Sequence, residues 1–186
     1  MDNLVKNSGG LPIISVSRKP IKLGKNICVG EVPVCYTNSF KQLLIGLKAA
    51  KTKYCIAAEA DTLYPPKYFE FTPKTKNVYR YTNLYVYFVG HEGMWKKRCV
   101  EAAQMCDREH WIKSIEKVTT MTWEPEPFQF VFDTKDQYSW TSDQPVLYFK
   151  THKGINYKTG FINGRQTEIP YWGSLKDIKK LFKEVV

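Results

Sequence analysis

The run Ser39-Phe-Lys-Gln-Leu-Leu-Ile-Gly-Leu-Lys-Ala-Ala-Lys-Thr-Lys-Tyr-Cys-Ile-Ala-Ala58 decides how the fold is read. Phe40, Leu43, Leu44 and Leu47 recur at i, i+3, i+4 and i+7, the spacing of one apolar helix face. Ser39 and Gln42 stand at capping-box spacing, so the pattern predicts a helix between 38 and 51. Lys53–Ala58 then abandons polar alternation, as a strand covered on both faces does. Upstream, Leu11–Ser17 and Asn26–Gly30 are short apolar runs that read as strands. Strand, helix and buried strand make a βαβ unit. The expectation is a single α/β domain over 1–186, with a Rossmann-like, mixed but mostly parallel sheet flanked by helices.

Further along, Asn77–Tyr81, Tyr85–Val89, Phe128–Phe132 and Val146–Phe149 read as strands. Asp107 reads as the N-cap of a helix whose apolar face is Trp111, Ile112, Ile115 and Val118. Ser174 opens a last helix, 174–186, with Leu175, Ile178, Leu181, Phe182 and Val185 on one stripe. Residues 1–10 read as a polar tail. The Gly-, Asn- and Lys-rich stretch 151–173 reads as an active-site loop, since loops of that length more often carry function than structure.

Composition narrows the classes. A hydrophobic fraction of 43% and an aromatic fraction of 15% exclude a disordered chain. No apolar run approaches the roughly 20 residues that span a bilayer, and the polar start lacks the apolar stretch of a secretory signal. Five cysteines without a C-x-x-C pair read as reduced thiols in a cytoplasmic protein, host cytoplasm if the chain is viral. The net charge of +10 is unevenly spread. Residues 1–53 carry nine Lys/Arg against two acids, and residues 150–186 eight against three. Between them eleven bases face thirteen acids. Basic ends around an acidic middle suit a phosphorylated ligand or nucleic acid, and equally a solvated surface.

The acidic middle contains the motif that carries chemistry, Ile56-Ala-Ala-Glu-Ala-Asp-Thr-Leu-Tyr-Pro-Pro66. An apolar strand ends in Glu59 and Asp61, spaced i, i+2, so in an extended chain both face one side. Two carboxylates aimed at one point repel unless a cation or proton lies between them. A hard divalent cation bridging to phosphate oxygens suits that place. The alternative leaves Glu59 accepting backbone N–H groups and Asp61 capping a short helix near Pro65.

Four stretches together resemble a family: Pro12–Ile21, Gly24–Ile27, Phe40–Ala50 and Ala58–Pro66 look like bacterial and phage glycosyltransferases of the GT-A fold. The likeness continues through Cys106–Glu109, Trp123–Pro125, Thr151–Asn156 and Ile169–Gly173. It implies that Glu59-Ala60-Asp61 stands for the D-x-D-type motif, which holds Mn²⁺ or Mg²⁺ on a nucleotide-sugar diphosphate. It implies that His152 completes the metal shell and that Lys153, Lys158 and Arg165 close over the diphosphate. Ser17 and Arg18, ending the first strand, and Trp172 become donor contacts. Asp107, or Glu101 with Glu109 nearby, becomes the base that deprotonates an acceptor hydroxyl. Trp123–Phe128 and Tyr171-Trp172 become sugar-stacking candidates. Relatives of this kind carry a further strand and helix before the segment matching Leu11–Ser17, so the expectation is a truncated sequence, a naturally short one, or a partner or second copy that supplies the piece. The implied partners are a UDP- or GDP-linked sugar and a hydroxyl acceptor, which a +10 chain could find on modified phage DNA or another polyanion. Two rival readings stand beside it: a basic, aromatic-rich nucleic-acid-binding protein, and a degenerate transferase fold kept as an interaction module.

Overall fold

The computed structural model describes residues 1–97, 101–119, 137–150, 162 and 164–185. In chain order its elements begin α1 (Asp2–Asn7), β1 (Ile14–Ser17), β2 (Lys25–Cys28), α2 (Tyr36–Ala49), β3 (Tyr54–Ile56), β4 (Thr62–Leu63) and α3 (Pro66–Phe69). There follow β5 (Val78–Tyr81), β6 (Leu84–Phe88), β7 (Met94–Lys97), β8 (Gln104–Asp107) and α4 (Arg108–Thr119). The last are β9 (Gln137–Trp140), β10 (Val146–Lys150), β11 (Glu168–Ile169), β12 (Gly173–Ser174) and α5 (Leu175–Val185).

The expected Rossmann-like, mostly parallel sheet is corrected by the pairing. One four-stranded sheet runs β3-β8-β5-β9, and a second runs β4-β10-β6-β7. β3 and β5 both lie antiparallel to β8, and only β9 joins that sheet parallel. In the second sheet β10 is parallel to β6, while β4 and β7 are antiparallel to their neighbours. β1 and β2 pair in parallel as a separate two-stranded sheet. The segment β1-α2-β3 therefore never closes into one sheet, because β3 takes β8 as its neighbour instead of β1. β3 is an edge strand and only partly buried, not a central strand covered on both faces.

Side-chain alternation explains why the two sheets stack. On β6, Leu84, Val86 and Phe88 enter one core while Tyr85 and Tyr87 enter another. β10 does the same, with Val146 and Tyr148 on one side and Leu147 and Phe149 on the other. The shared core between the sheets is rich in tyrosine: Tyr64, Tyr68, Tyr79, Tyr81 and Tyr148 meet Met105 and Trp140 there. Helices cover the outer faces. α2 and α4 pack Leu47, Trp111, Ile115 and Val118 on Val78 and Cys106. α5 lays Ile178, with Leu175, Leu181 and Phe182, on Leu147 and Phe149. The result is helix, sheet, sheet, helix. Trp111, 1% exposed, is the largest of the fully buried side chains, and truncating such a residue to alanine costs about 3–5 kcal/mol.

Local signals fare differently. Asp107 caps α4 as expected, its Oδ1 accepting from the N–H groups of Glu109 and His110, each at 3.1 Å. Ser174 and Asp177 form a reciprocal box at α5: Ser174 N donates to Asp177 Oδ2 at 3.2 Å, and Asp177 N to Ser174 Oγ at 3.4 Å. The box expected at Ser39 does not form, because α2 starts a turn earlier and Ser39 Oγ donates back to Cys35 O at 3.2 Å. Residues 1–10, read as a tail, contain α1. Asn7 Nδ2 donates to Tyr64 O at 2.8 Å, and Tyr64 N donates to Asn3 Oδ1 at 3.0 Å. Of the described cysteines Cys106 is buried, whereas Cys28 is exposed. The strand expected at Phe128–Phe132 lies outside the described residues, as does most of 151–173; the described end of that stretch holds the β11–β12 pair.

Candidate functional site

The acidic motif occupies the place where the chain leaves one sheet for the other. β3 ends at Ile56, and Ala57 N still donates to Gln104 O at 2.8 Å. Thr62 N then donates to Glu59 O at 3.3 Å, so Glu59-Ala60-Asp61-Thr62 is a turn that delivers the chain into β4. Glu59 and Asp61 thus sit on a turn and not on an extended strand end, between the edge strands β3 and β4.

Both sheets hold that turn. Tyr64 Oη accepts from Glu59 N at 2.8 Å and donates to Ala102 O at 2.7 Å. Tyr68 Oη donates to Ala57 O at 2.9 Å. From the other sheet, Phe149 N donates to Asp61 O at 2.8 Å. Tyr64 and Tyr68 are fully buried, and a buried phenol needs a partner for its hydroxyl. Tyrosine is therefore used at the rim of the core because its tip can fasten backbone that phenylalanine would leave unpaired.

The same register aims a cation at the acids. Thr62 pairs with Tyr148 and Phe149 N donates to Asp61 O, which brings the end of β10 to the turn, and the Lys150 charge there bears on both carboxylates. Lys150 Nζ donates to Tyr148 Oη at 2.6 Å and lies 4.4 Å from the Tyr148 ring centroid. Arg80 Nη1 lies 3.1 Å from Glu101 Oε1, and Glu101 adds a third negative charge facing Glu59. Desolvation by crowding, then the Asp61 charge, push the Glu59 carboxyl up to about 7, with Lys150 opposing them. Glu59 is nonetheless exposed by area, and water reaching it screens part of this effect. Asp61 is also raised, first by desolvation, with Lys150, its own backbone N–H and the Thr62 hydroxyl pulling the other way. Burial and the neighbouring carboxylates hold Tyr64 and Tyr148 protonated as well.

These residues can be tested against the implied Mn²⁺ or Mg²⁺. Glu59 and Asp61 offer hard oxygen donors whose mutual repulsion is only partly offset by Lys150, which suits a divalent cation. Among the described residues no group of three His, Cys, Asp or Glu closes on one point. His152, the expected third ligand, lies outside the described residues, as do Lys153, Lys158 and Trp123–Phe128.

The other candidates scatter. Glu101 belongs to the acidic centre. Asp107 is 7% exposed and spends its Oδ1 on the α4 cap; its charge bears on Cys55 and Cys106. Ser17 ends β1 in a local network, accepting from Asn26 Nδ2 at 2.9 Å and donating to Lys19 O at 2.7 Å, with exposed Arg18 beside it. Trp172 donates its indole N–H to Pro145 O at 2.6 Å, at the opposite end of β10 from Lys150. Arg165 is exposed on the approach to β11.

Tyr64, Tyr148, Lys150 and Arg80 were not singled out from the sequence. Tyr64 carried a usable signal, since it lies three residues past Asp61 and directly before Pro65-Pro66. No helix of the described residues is long and apolar enough to cross a membrane. No protein-family model, curated protein or solved structure matches this chain.

Proposed function

We propose that this chain is a glycosyltransferase, moving a sugar from a UDP- or GDP-linked donor to a hydroxyl acceptor at the Glu59–Asp61 turn. The observation that carries the reading is that turn: two carboxylates on backbone held by both sheets, with the charges of Lys150 and of a third acid, Glu101, bearing on them. The resemblance of its short motifs to those of nucleotide-sugar transferases supports the reading; the fold does not.

Roles follow from position. Asp61 and Glu59 would hold the Mn²⁺ or Mg²⁺; the resemblance, and not position, names His152, outside the described residues, as the third ligand. When bound, the metal offsets the charge growing on the departing diphosphate. Lys150 adds a fixed positive charge at the same place. Glu101, whose charge reaches Glu59, takes the proton from the acceptor hydroxyl as the oxygen attacks the anomeric carbon and the sugar–phosphate bond breaks. Asp107 is the lesser candidate for that base, being committed to α4. Lys153 and Lys158, outside the described residues, are assigned to the diphosphate by the resemblance alone. The acceptor in this reading is a polyanion, and the setting is cytoplasmic.

Calorimetric titration with UDP and with GDP, each with and without Mn²⁺, tests the proposal. The expected result is metal-dependent nucleotide binding that Asp61→Ala abolishes while the protein stays folded. Absence of binding to either nucleotide in either condition refutes it.

A further inference from the structure

Tyr171 is the one non-glycine residue with a positive φ, 66°, among the described residues. That conformation is costly for a bulky side chain and free for glycine. It is enforced locally. Trp172 N donates to Pro170 O at 2.8 Å, closing a three-residue γ-turn of the strained hand, and the Trp172 indole is pinned to Pro145 O. The turn throws the Tyr171 ring outward, where it is 50% exposed, and it contributes to none of the three buried clusters. Trp172 is its ring neighbour, edge to face with centroids 4.7 Å apart. A strained backbone that displays an aromatic to water points to use of the ring itself.

The ring has a charged setting. A shallow, open recess of about 430 Å³ runs from Tyr171 and Trp172 past Asp177 to Lys180 and Leu181 on α5. A second recess of similar size shares Lys180 and continues past Lys176 and Lys179. Lys176 and Lys180 are exposed and stand at i, i+4, so they share one face of the helix. Asp177, the acid between them, bonds to the Ser174 cap and its charge partly offsets those of Lys180 and Lys176, leaving the pair a net positive charge, while Lys179 is paired with Glu92 at 2.7 Å. An exposed ring at one end and a lysine track at the other match a flexible chain of alternating bases and phosphates. A duplex hides its base faces, so the fit is to a single strand.

We infer that the α5 face beside Tyr171 is a binding site for single-stranded nucleic acid. One base stacks on Tyr171, and the adjoining phosphates meet Lys180 and Lys176. The site lies on the outer side of the second sheet, away from the acidic turn, and is independent of the transferase reading.

Fluorescence anisotropy of a labelled short oligothymidylate, with the full chain and neither metal nor nucleotide sugar present, tests it. Wild type is expected to bind and to weaken as salt rises. Tyr171→Ala weakens binding about tenfold. Tyr171→Gly weakens it equally while the melting temperature holds or rises, since glycine accepts φ 66° freely. Lys176→Gln with Lys180→Gln flattens the log–log salt slope by about 1.4, near 0.7 for each single-strand phosphate that is no longer neutralised. Three results each overturn the assignment: no binding at low salt, Tyr171 variants that bind as wild type does, or equal competition by polyaspartate. Because the assay omits donor and metal, its failure leaves the nucleotide titration unaffected.

Discussion

Replacing Glu59 by glutamine removes the charge that the acidic turn has most difficulty holding. The Glu59 carboxyl is raised from 4.5 to about 7 by crowding and by Asp61. A shift of that size corresponds to a ceiling of about 3 kcal/mol, at about 1.36 kcal/mol per unit. Glu59 keeps accessible surface, and water screens the effect, so about 1 kcal/mol is the figure to expect. The sign follows from linkage. Folded Glu59 binds its proton more tightly than unfolded Glu59, so its contribution to stability is fully present below about pH 4.5. It is lost as pH rises through about 7. Glutamine resembles the protonated acid and does not titrate. Glu59→Gln should therefore match wild type near pH 4 and exceed it by about 1 kcal/mol near pH 8.5, a rise in melting temperature of about 2–4 °C. Urea unfolding of both proteins across that range, in EDTA to keep the acids metal-free, measures the difference. A gap that does not change with pH, or a variant less stable than wild type at pH 8.5, refutes the electrostatic account of the turn.

Tyr64→Phe removes the hydroxyl that joins Glu59 N to Ala102 O and leaves buried backbone groups unpaired. The expected cost is about 1–3 kcal/mol, read as a lower urea midpoint. At Asp107, alanine should lower stability by about 1 kcal/mol through loss of the α4 cap, while asparagine, an equally good cap, should hold it near wild type. A thermal melt of the two variants separates capping from charge; equal losses in both would show that charge dominates.

The helices were legible because an amphipathic stripe is a local property. Phe40–Leu47, Trp111–Val118 and Leu175–Leu181 each announced the face that packs. The strands β5, β6 and β10 were legible for the same reason. Their partners were not. An apolar run such as Tyr54-Cys-Ile56 looks alike whether parallel neighbours flank it or helices cover one side of an edge strand. β8 escaped notice because Gln104 and Asp107 bracket only two apolar residues, although all four are buried. α1 escaped because Asn3 and Asn7 look like tail residues until Tyr64 is there to receive them. The parallel sheet was thus an inference about pairing drawn from segments that determine only burial.

The reading of the acidic motif does not depend on the sheet. Two carboxylates after an apolar run require compensation in any fold, and Tyr64, Lys150 and Glu101 show what gathers around them. What the sequence lacked was their source: the β4–β10 pairing brings Lys150 to the turn, and Glu101 enters through the segment leading to β8. The correction also changes how the site must behave. In a parallel sheet the two acids would hang from one strand and keep their geometry while that strand held. Here Glu59 is tied through Tyr64 to Ala102, and Asp61 is tied to Phe149 in the other sheet. The turn itself sets their spacing along the chain, and the two sheets set how that turn is held against the tyrosine-rich core. Substitutions in that core therefore act on the turn through its anchors, without touching either acid.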